Sequence, residues 1–356
     1  MPFRYILFCY HLIFSLIFYA YIMEYGGDAL GYWTMQADSS QGAESWMQHW
    51  GLGTFFVQWL NYVPSQLLGM PFWAGNLLYG LISAFAWLAI FQRINKVTET
   101  VLPRFTRLIW LLPNMHFWTA GVGKESLIWM FFVLFILNLK FRKQNMILCL
   151  AAVFLMFLVR PLYASFLLFI LLFFWLKNSP YTPKQTILGT LVLVLGLGFV
   201  TSKLLLFTHM EALNLENIKA YIQFQQEFLM GFKADTYLPM EQYAFPWAFL
   251  SFLFRPMPWE GTGILFILAG LENLFAVLLV TGALMLGVWK QIWSKNEGFI
   301  YGIIFLFLIS VVGSLTLNNF GIMLRYKSPA MIFLYLWALD TIFSGLKLIL
   351  AKQNNK

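Results

Sequence analysis

Residues 5–23 read YILFCYHLIFSLIFYAYIM, a run with no formally charged side chain. The hydrocarbon core of a bilayer is crossed by about 20 apolar residues of α-helix. The run is too long for the apolar part of a secretory leader, and no small-residue cleavage site follows it. It is expected to stay in the protein as a first transmembrane helix. Outward from it the same pattern recurs, giving about ten apolar segments, at roughly 3–23, 66–91, 104–118, 126–141, 145–159, 162–177, 186–207, 263–289, 298–317 and 327–346. The chain of 356 residues is 60% hydrophobic and 11% charged, against about 25% charged in soluble domains. The expected fold is all-α, a polytopic helical bundle with interfacial helices and an outward-facing cavity. No linker divides it, so 1–356 is read as a single membrane domain.

The connecting loops alternate in charge. Arg93, Lys96, Arg104 and Arg107 form one basic group. Lys140, Arg142 and Lys143, then Lys177 and Lys184, then Lys290 and Lys295, and the tail Lys347, Lys352 and Lys356 form others. With Arg4 they mark the cytoplasmic side, and the net charge of +8 reports topology rather than nucleic-acid binding. The acids Glu24, Asp28, Asp38 and Glu44, and those from Glu211 to Glu260, gather in two longer loops, roughly 24–65 and 208–262, which face outward. Trp46, His49, Trp50, Phe55, Phe56 and Trp59 have the spacing of a helix lying in the interface. The stretch Glu211–Phe232 is expected to be an amphipathic helix. Pro256 and Pro258 cannot continue a helix, so an irregular loop should precede the next span. Cys9 and Cys149 both lie in apolar runs and lack any CxxC spacing.

Five cations break the charge rule. Lys124, Arg160, Arg255, Arg325 and Lys327 fall at outward ends of apolar segments, where each costs about 2.5–3.5 kcal/mol unless it reaches water or a partner. An anionic ligand at that face accounts for them, and a phosphate matches the arginine fork. Two short hairpins, tipped by Pro113–Lys124 and by Arg160-Pro161, read as walls of a cavity. Asp28 follows Gly26-Gly27 and stands four residues before Tyr32. His116 and Trp118 lie in the 113–125 turn. Glu260 and Glu272 are the remaining carboxylates near the cations, Glu272 inside a span, where an acid is a functional candidate or the ion-pair partner of Arg255 or Arg325. The plain alternatives are a helix cap at Asp28, an interfacial turn at 113–125 and a snorkelling pair at Arg325 and Lys327.

Asp28-Ala29-x-x-Tyr32, Pro113…Phe117-Trp118…Gly123-Lys124-Glu125 and Arg325…Pro329 resemble the pattern of GT-C type membrane glycosyltransferases, and more loosely that of bacterial O-antigen and exopolysaccharide polymerases. The resemblance covers the layout of the whole chain and motif identity over some thirty residues. It implies a polyprenyl-phosphate-linked sugar donor, a glycan or lipid acceptor, and a site on the outer face of a bacterial inner membrane. It implies Asp28 as catalytic base, with Glu260 or Glu272 as substitutes. Arg160, Arg255 or Arg325 would bind the donor phosphate. Lys124, Lys327, Tyr32, His116 and Trp118 would complete the substrate site, with Trp247 and Trp259 as further platforms for sugar rings. Metal-binding members pair two acids in the first outer loop. Here Gly27 stands beside Asp28, which leaves a divalent metal possible but without support; no other cofactor is expected. Two other classes compete: a transporter or flippase of a lipid-linked anionic glycan, which would favour internal repeats and mid-membrane charge, and a non-catalytic membrane scaffold.

Overall fold

In the computed structural model, residues 2–37, 42–98, 101–208, 210, 212–231, 236–290 and 293–354 are described. Asp38, Glu211, Phe232 and Lys356, singled out in the sequence, lie outside them. Helix α1 (Phe3–Tyr25) is the apolar run of the opening stretch, and Gly26 ends it with φ +74° and its N–H on the Ile22 carbonyl, 2.9 Å. α2 (Asp28–Thr34) follows at once. Then come a 3₁₀ turn (Trp46–His49), α3 (Thr54–Tyr62) with a π-turn extension (Val63–Leu67), and α4 (Phe72–Thr98). A 3₁₀ helix (Arg104–Leu111) precedes α5 (Pro113–Thr119) and α6 (Lys124–Asn138). α7 (Lys143–Val159), α8 (Pro161–Asn178), α9 (Pro183–Phe207) and α10 (Leu215–Met230) come next. α11 (Phe245–Phe254), α12 (Ile264–Lys290), α13 (Glu297–Thr316) and α14 (Phe320–Asn354) complete the chain.

Among the described residues seven helices are long and apolar enough to cross a membrane: α1, α4, α8, α9, α12, α13 and α14. The protein is an all-α integral membrane bundle. Among the described residues the expected count of about ten spans is not reached. α5 and α6 make an eighth only if counted together, since they bend by 105° at the break between them, and α7 and α11 are shorter apolar helices.

The expected span over 104–118 is replaced by two short pieces. Pro103 and Pro113 bracket the 3₁₀ helix, and Leu112, the residue before Pro113, is extended with ψ 124°, as steric conflict with a following proline ring requires. The interfacial helix expected near 40–64 is also broken. Gly53 adopts φ +66°, and Trp46 folds back to stack on Trp59, centroids 5.2 Å apart, with its indole N–H on the Trp59 carbonyl, 3.0 Å. The last span starts earlier than read and carries Pro329 inside it. Proline cannot bond the Arg325 carbonyl one turn back; the Ser328 hydroxyl donates to that carbonyl instead, 2.9 Å, which keeps the helix tolerable in an apolar medium. The helix expected over 211–232 is present as α10, and the 255–263 stretch is irregular, as its prolines require.

The chain forms two compact units. One comprises Met1–Ile90 and His116–Ile218; the other comprises Phe91–Met115 and Lys219–Lys356. In the first, Phe14, Phe18, Ile22, Ala29, Phe117 and Ala120 make a core cluster. Here the α5–α6 break is built into the packing. A Cβ on Gly121 would overlap the Phe18 ring, so only glycine lets the chain approach α1 this closely. The backbone groups opened by the break are satisfied locally. The Val122 N–H donates to Asn76 Oδ1 (2.9 Å), and the Ser126 hydroxyl donates to the Gly121 carbonyl (2.6 Å). In the second unit α11, α12, α13 and α14 pack around buried Phe252, Phe299, Phe305 and Phe333.

Candidate functional site

Seven-residue α2 is too short to hold itself, and its neighbours hold it. The Gly31 carbonyl accepts from Gln58 (3.3 Å), that of Tyr32 from Asn61 (3.2 Å), and that of Trp33 from Gln66 (3.4 Å). Three amide side chains of α3 and its extension thus bind the carbonyls of the last turn of α2, that of Gly31 also accepting the Gln36 N–H at 3.0 Å. Tyr79 fixes Asn61 in turn, its hydroxyl donating to Oδ1 at 2.8 Å. Asp28 is the first residue of α2 rather than its cap, which is Gly27. The Tyr32 hydroxyl donates to the exposed Asp28 carboxylate, at Oδ2, over 3.4 Å.

Lys124 opens α6. Its Nζ donates to Thr54 Oγ1 (3.0 Å) and stands over the Tyr32 ring, 5.5 Å from the centroid. The next residue, Glu125, is buried and accepts from Arg160 Nη2 at 3.1 Å. Arg160 ends α7 and caps α8 in an extended conformation (φ −153°, ψ 93°) imposed by Pro161, which takes the first helical position of α8. Its guanidinium lies over the Tyr163 ring, 4.8 Å away. The Gly53 N–H donates to the Leu158 carbonyl (2.8 Å), tying the start of α3 to the end of α7. Asp28, Tyr32, Thr54, Lys124, Glu125, Arg160 and Tyr163 therefore form one chain of contacts within the first unit. Thr54 and Tyr163 were not singled out in the sequence; an aromatic three residues after an arginine on the same helix face was the one available sign of Tyr163.

The other two substrate residues of this unit lie elsewhere. His116 is buried on α5, with Nδ1 2.7 Å from His11 Nδ1, and His11 Nε2 is 2.6 Å from Ser83 Oγ. Trp118 packs edge-on against Phe117 and Phe18. The His11–His116 contact was missed because a lone histidine in an apolar run carries no sign of its partner.

In the second unit Arg255 and Glu260 form an ion pair, with Nε to Oε1 at 2.7 Å, while Glu260 Oε2 accepts from the Met257 N–H at 2.6 Å. The pair thus closes its own loop. Arg255 also donates to the Tyr243 hydroxyl (3.2 Å) and stands over the Phe320 ring. Burial alone would lower its proton affinity, but the bonds to Glu260 and Tyr243 more than offset this and raise it. Glu272 is buried, accepting from the Asn114 N–H (3.0 Å) and the Tyr335 hydroxyl (3.4 Å). Lys327 is fully buried and donates to the carbonyls of Phe252 (3.1 Å), Leu253 (2.7 Å) and Arg255 (3.0 Å) and to Asn273 Oδ1 (3.2 Å). Two of these carbonyls belong to the last turn of α11, so the ammonium acts as its C-cap. An ammonium has three N–H donors, and these four acceptors account for them. Arg325 lies two residues earlier on α14. Trp247 and Trp259 are largely exposed. Among the described residues no group of three or more His, Cys, Asp or Glu is arranged to hold a metal ion.

No protein-family model, curated protein or solved structure matches this chain.

Proposed function

We propose that the protein is a membrane glycosyltransferase that uses a polyprenyl-phosphate-linked sugar donor at the outer face. The observation that carries this reading is the contact chain from Asp28 through Tyr32 and Lys124 to Glu125 and Arg160. Its two cations come from separate helix ends. Both are oriented by oxygen partners, and both stand over tyrosine rings. The bond to Glu125 and the contact with the Tyr163 ring orient the Arg160 guanidinium.

The chemistry follows from those positions. The departing phosphate gains charge as the sugar–oxygen bond breaks. Arg160 and Lys124 then interact more strongly in the transition state than with the bound donor, which is what accelerates a reaction. Asp28 accepts the proton of the acceptor hydroxyl. At rest two carboxylates balance two cations, and a phosphate arriving there favours proton uptake by the neighbouring carboxylate. The isoprenoid tail stays among the apolar helices. Lys327 is assigned to the scaffold, and Glu260 to its loop.

The test is sugar transfer by the purified full-length protein from a polyprenyl-phosphate-linked donor. Asp28→Asn should keep its fold and donor binding and lose about 10²–10⁴-fold in turnover. Arg160→Lys should recover only part of what Arg160→Gln loses, because an ammonium lacks the fork. Full activity in both Asp28→Asn and Arg160→Gln would end this reading and favour a transporter.

A further inference from the structure

The segment RFTRLIWL, residues 104–111, forms a 3₁₀ helix. Three residues complete each turn, so residues three apart lie on one ridge. The three ridges have different surroundings. Thr106 and Ile109 are buried; Phe105 and Leu108 are each 64% exposed. Arg104, Arg107 and Trp110 line a cavity of about 160 Å³, whose far walls are Asn95 and Thr98 of α4 and Leu336 of α14. At about 30 Å³ per water, this is room for roughly five waters or for one phosphate group. Arg107 is held from behind, its Nε on Asn95 Oδ1 at 3.0 Å. Among the described residues no carboxylate forms an ion pair with Arg104 or Arg107.

From this geometry we infer a binding site for the phosphate group of an anionic phospholipid, seated between Arg104 and Arg107 at the basic end of α4. Two arginines three residues apart on a 3₁₀ helix present their forks on the same side, as a phosphate with several acceptor oxygens requires. The adjoining ridge decides between a lipid and a free anion. Phe105 and Leu108 place exposed apolar surface beside the phosphate position, and Phe105 meets Phe343 of α14 edge-on, 5.9 Å between centroids. Free phosphate has no use for that surface, whereas acyl chains do. Arg93 and Lys96 are exposed on the same stretch of α4 and add attraction to an anionic leaflet. This site is independent of the glycosyl-transfer reading.

The experiment is native mass spectrometry of the full-length protein in neutral detergent, titrated separately with phosphatidylglycerol, phosphatidylcholine and millimolar inorganic phosphate. One phosphatidylglycerol should bind well above the phosphatidylcholine background. Arg104→Gln alone, at an exposed position, should weaken it about five-fold, and Arg104→Gln with Arg107→Gln about thirty-fold, the worth of one and two basic contacts at an anionic surface. Arg93→Gln, off the cavity, should change it less than two-fold. Equal binding of both lipids, retention by the double variant, or an equal loss in Arg93→Gln overturns the site. Arginine-dependent uptake of inorganic phosphate with no preference for phosphatidylglycerol overturns the lipid assignment.

Discussion

Replacing Lys327 by methionine separates a structural ammonium from a ligand-binding one. Methionine nearly keeps the volume and removes the donors. Four acceptors lose their partner: the Phe252, Leu253 and Arg255 carbonyls and Asn273 Oδ1. At about 1–3 kcal/mol for each unsatisfied buried group, the gross cost approaches 10 kcal/mol. Removing the buried charge returns several kcal/mol of desolvation. The difference is a loss of about 3–5 kcal/mol, the usual cost of breaking a buried charged contact. Each kcal/mol shifts the midpoint of a chain of moderate size by about 2–4 °C, so Lys327→Met should melt on the order of 10 °C lower. Tryptophan-fluorescence melting in mild detergent reads this directly. A donor-binding assay on the folded variant, at a temperature below both midpoints, should show unchanged affinity. An unshifted melting point with donor binding lost would refute the assignment of Lys327 to the helix cap and return it to the substrate site.

The remaining expectations concern the first unit. Burial pushes the His49 imidazole below its ordinary value, and the nearby Gln58 side chain opposes this only in part. The unfolded chain therefore binds the proton more readily. Stability is fully present above the unfolded value, about 6.5, and falls as pH drops from there through the lower folded value. Chemical-denaturation curves across that window should slope less in His49→Phe than in the parent, and identical slopes would remove His49 as a contributor. Gly121→Ala should cost about 1–3 kcal/mol by overpacking against Phe18, read as a lower melting point; a neutral result would mean that the α1 contact is looser than described.

Hydropathy alone made the helical membrane fold legible, because apolar length is a local property of the chain. The Gly26-Gly27 stop and the break at Pro256 were equally legible, since each depends on one or two residues of fixed backbone preference. The 104–118 segment misled because its apolar content suits a span, while its period of three suits a 3₁₀ helix. Cations at helix ends drew attention to Lys124 and Arg160, and these two do share one place in the first unit. Lys327 drew the same attention for a different reason. Three of its four acceptors are backbone carbonyls more than seventy residues away, and a carbonyl has no letter in the sequence. The amide side chains that hold α2 were silent for the same reason, because Gln58, Asn61 and Gln66 bind backbone rather than side chains.

The interleaving of the two units has a consequence for biogenesis. Residues 91–115 leave the ribosome about a hundred residues ahead of the rest of their unit, which begins at Lys219. At about 5–20 residues per second, the Arg104–Leu111 helix waits roughly 10–50 s before both α12 and α14 exist. During that interval the Asn95 and Thr98 wall of the cavity on α4 already exists, while Leu336 and Phe343 of α14 do not. The order of synthesis thus leaves this segment open on its α14 side until Leu336 and Phe343 have been made.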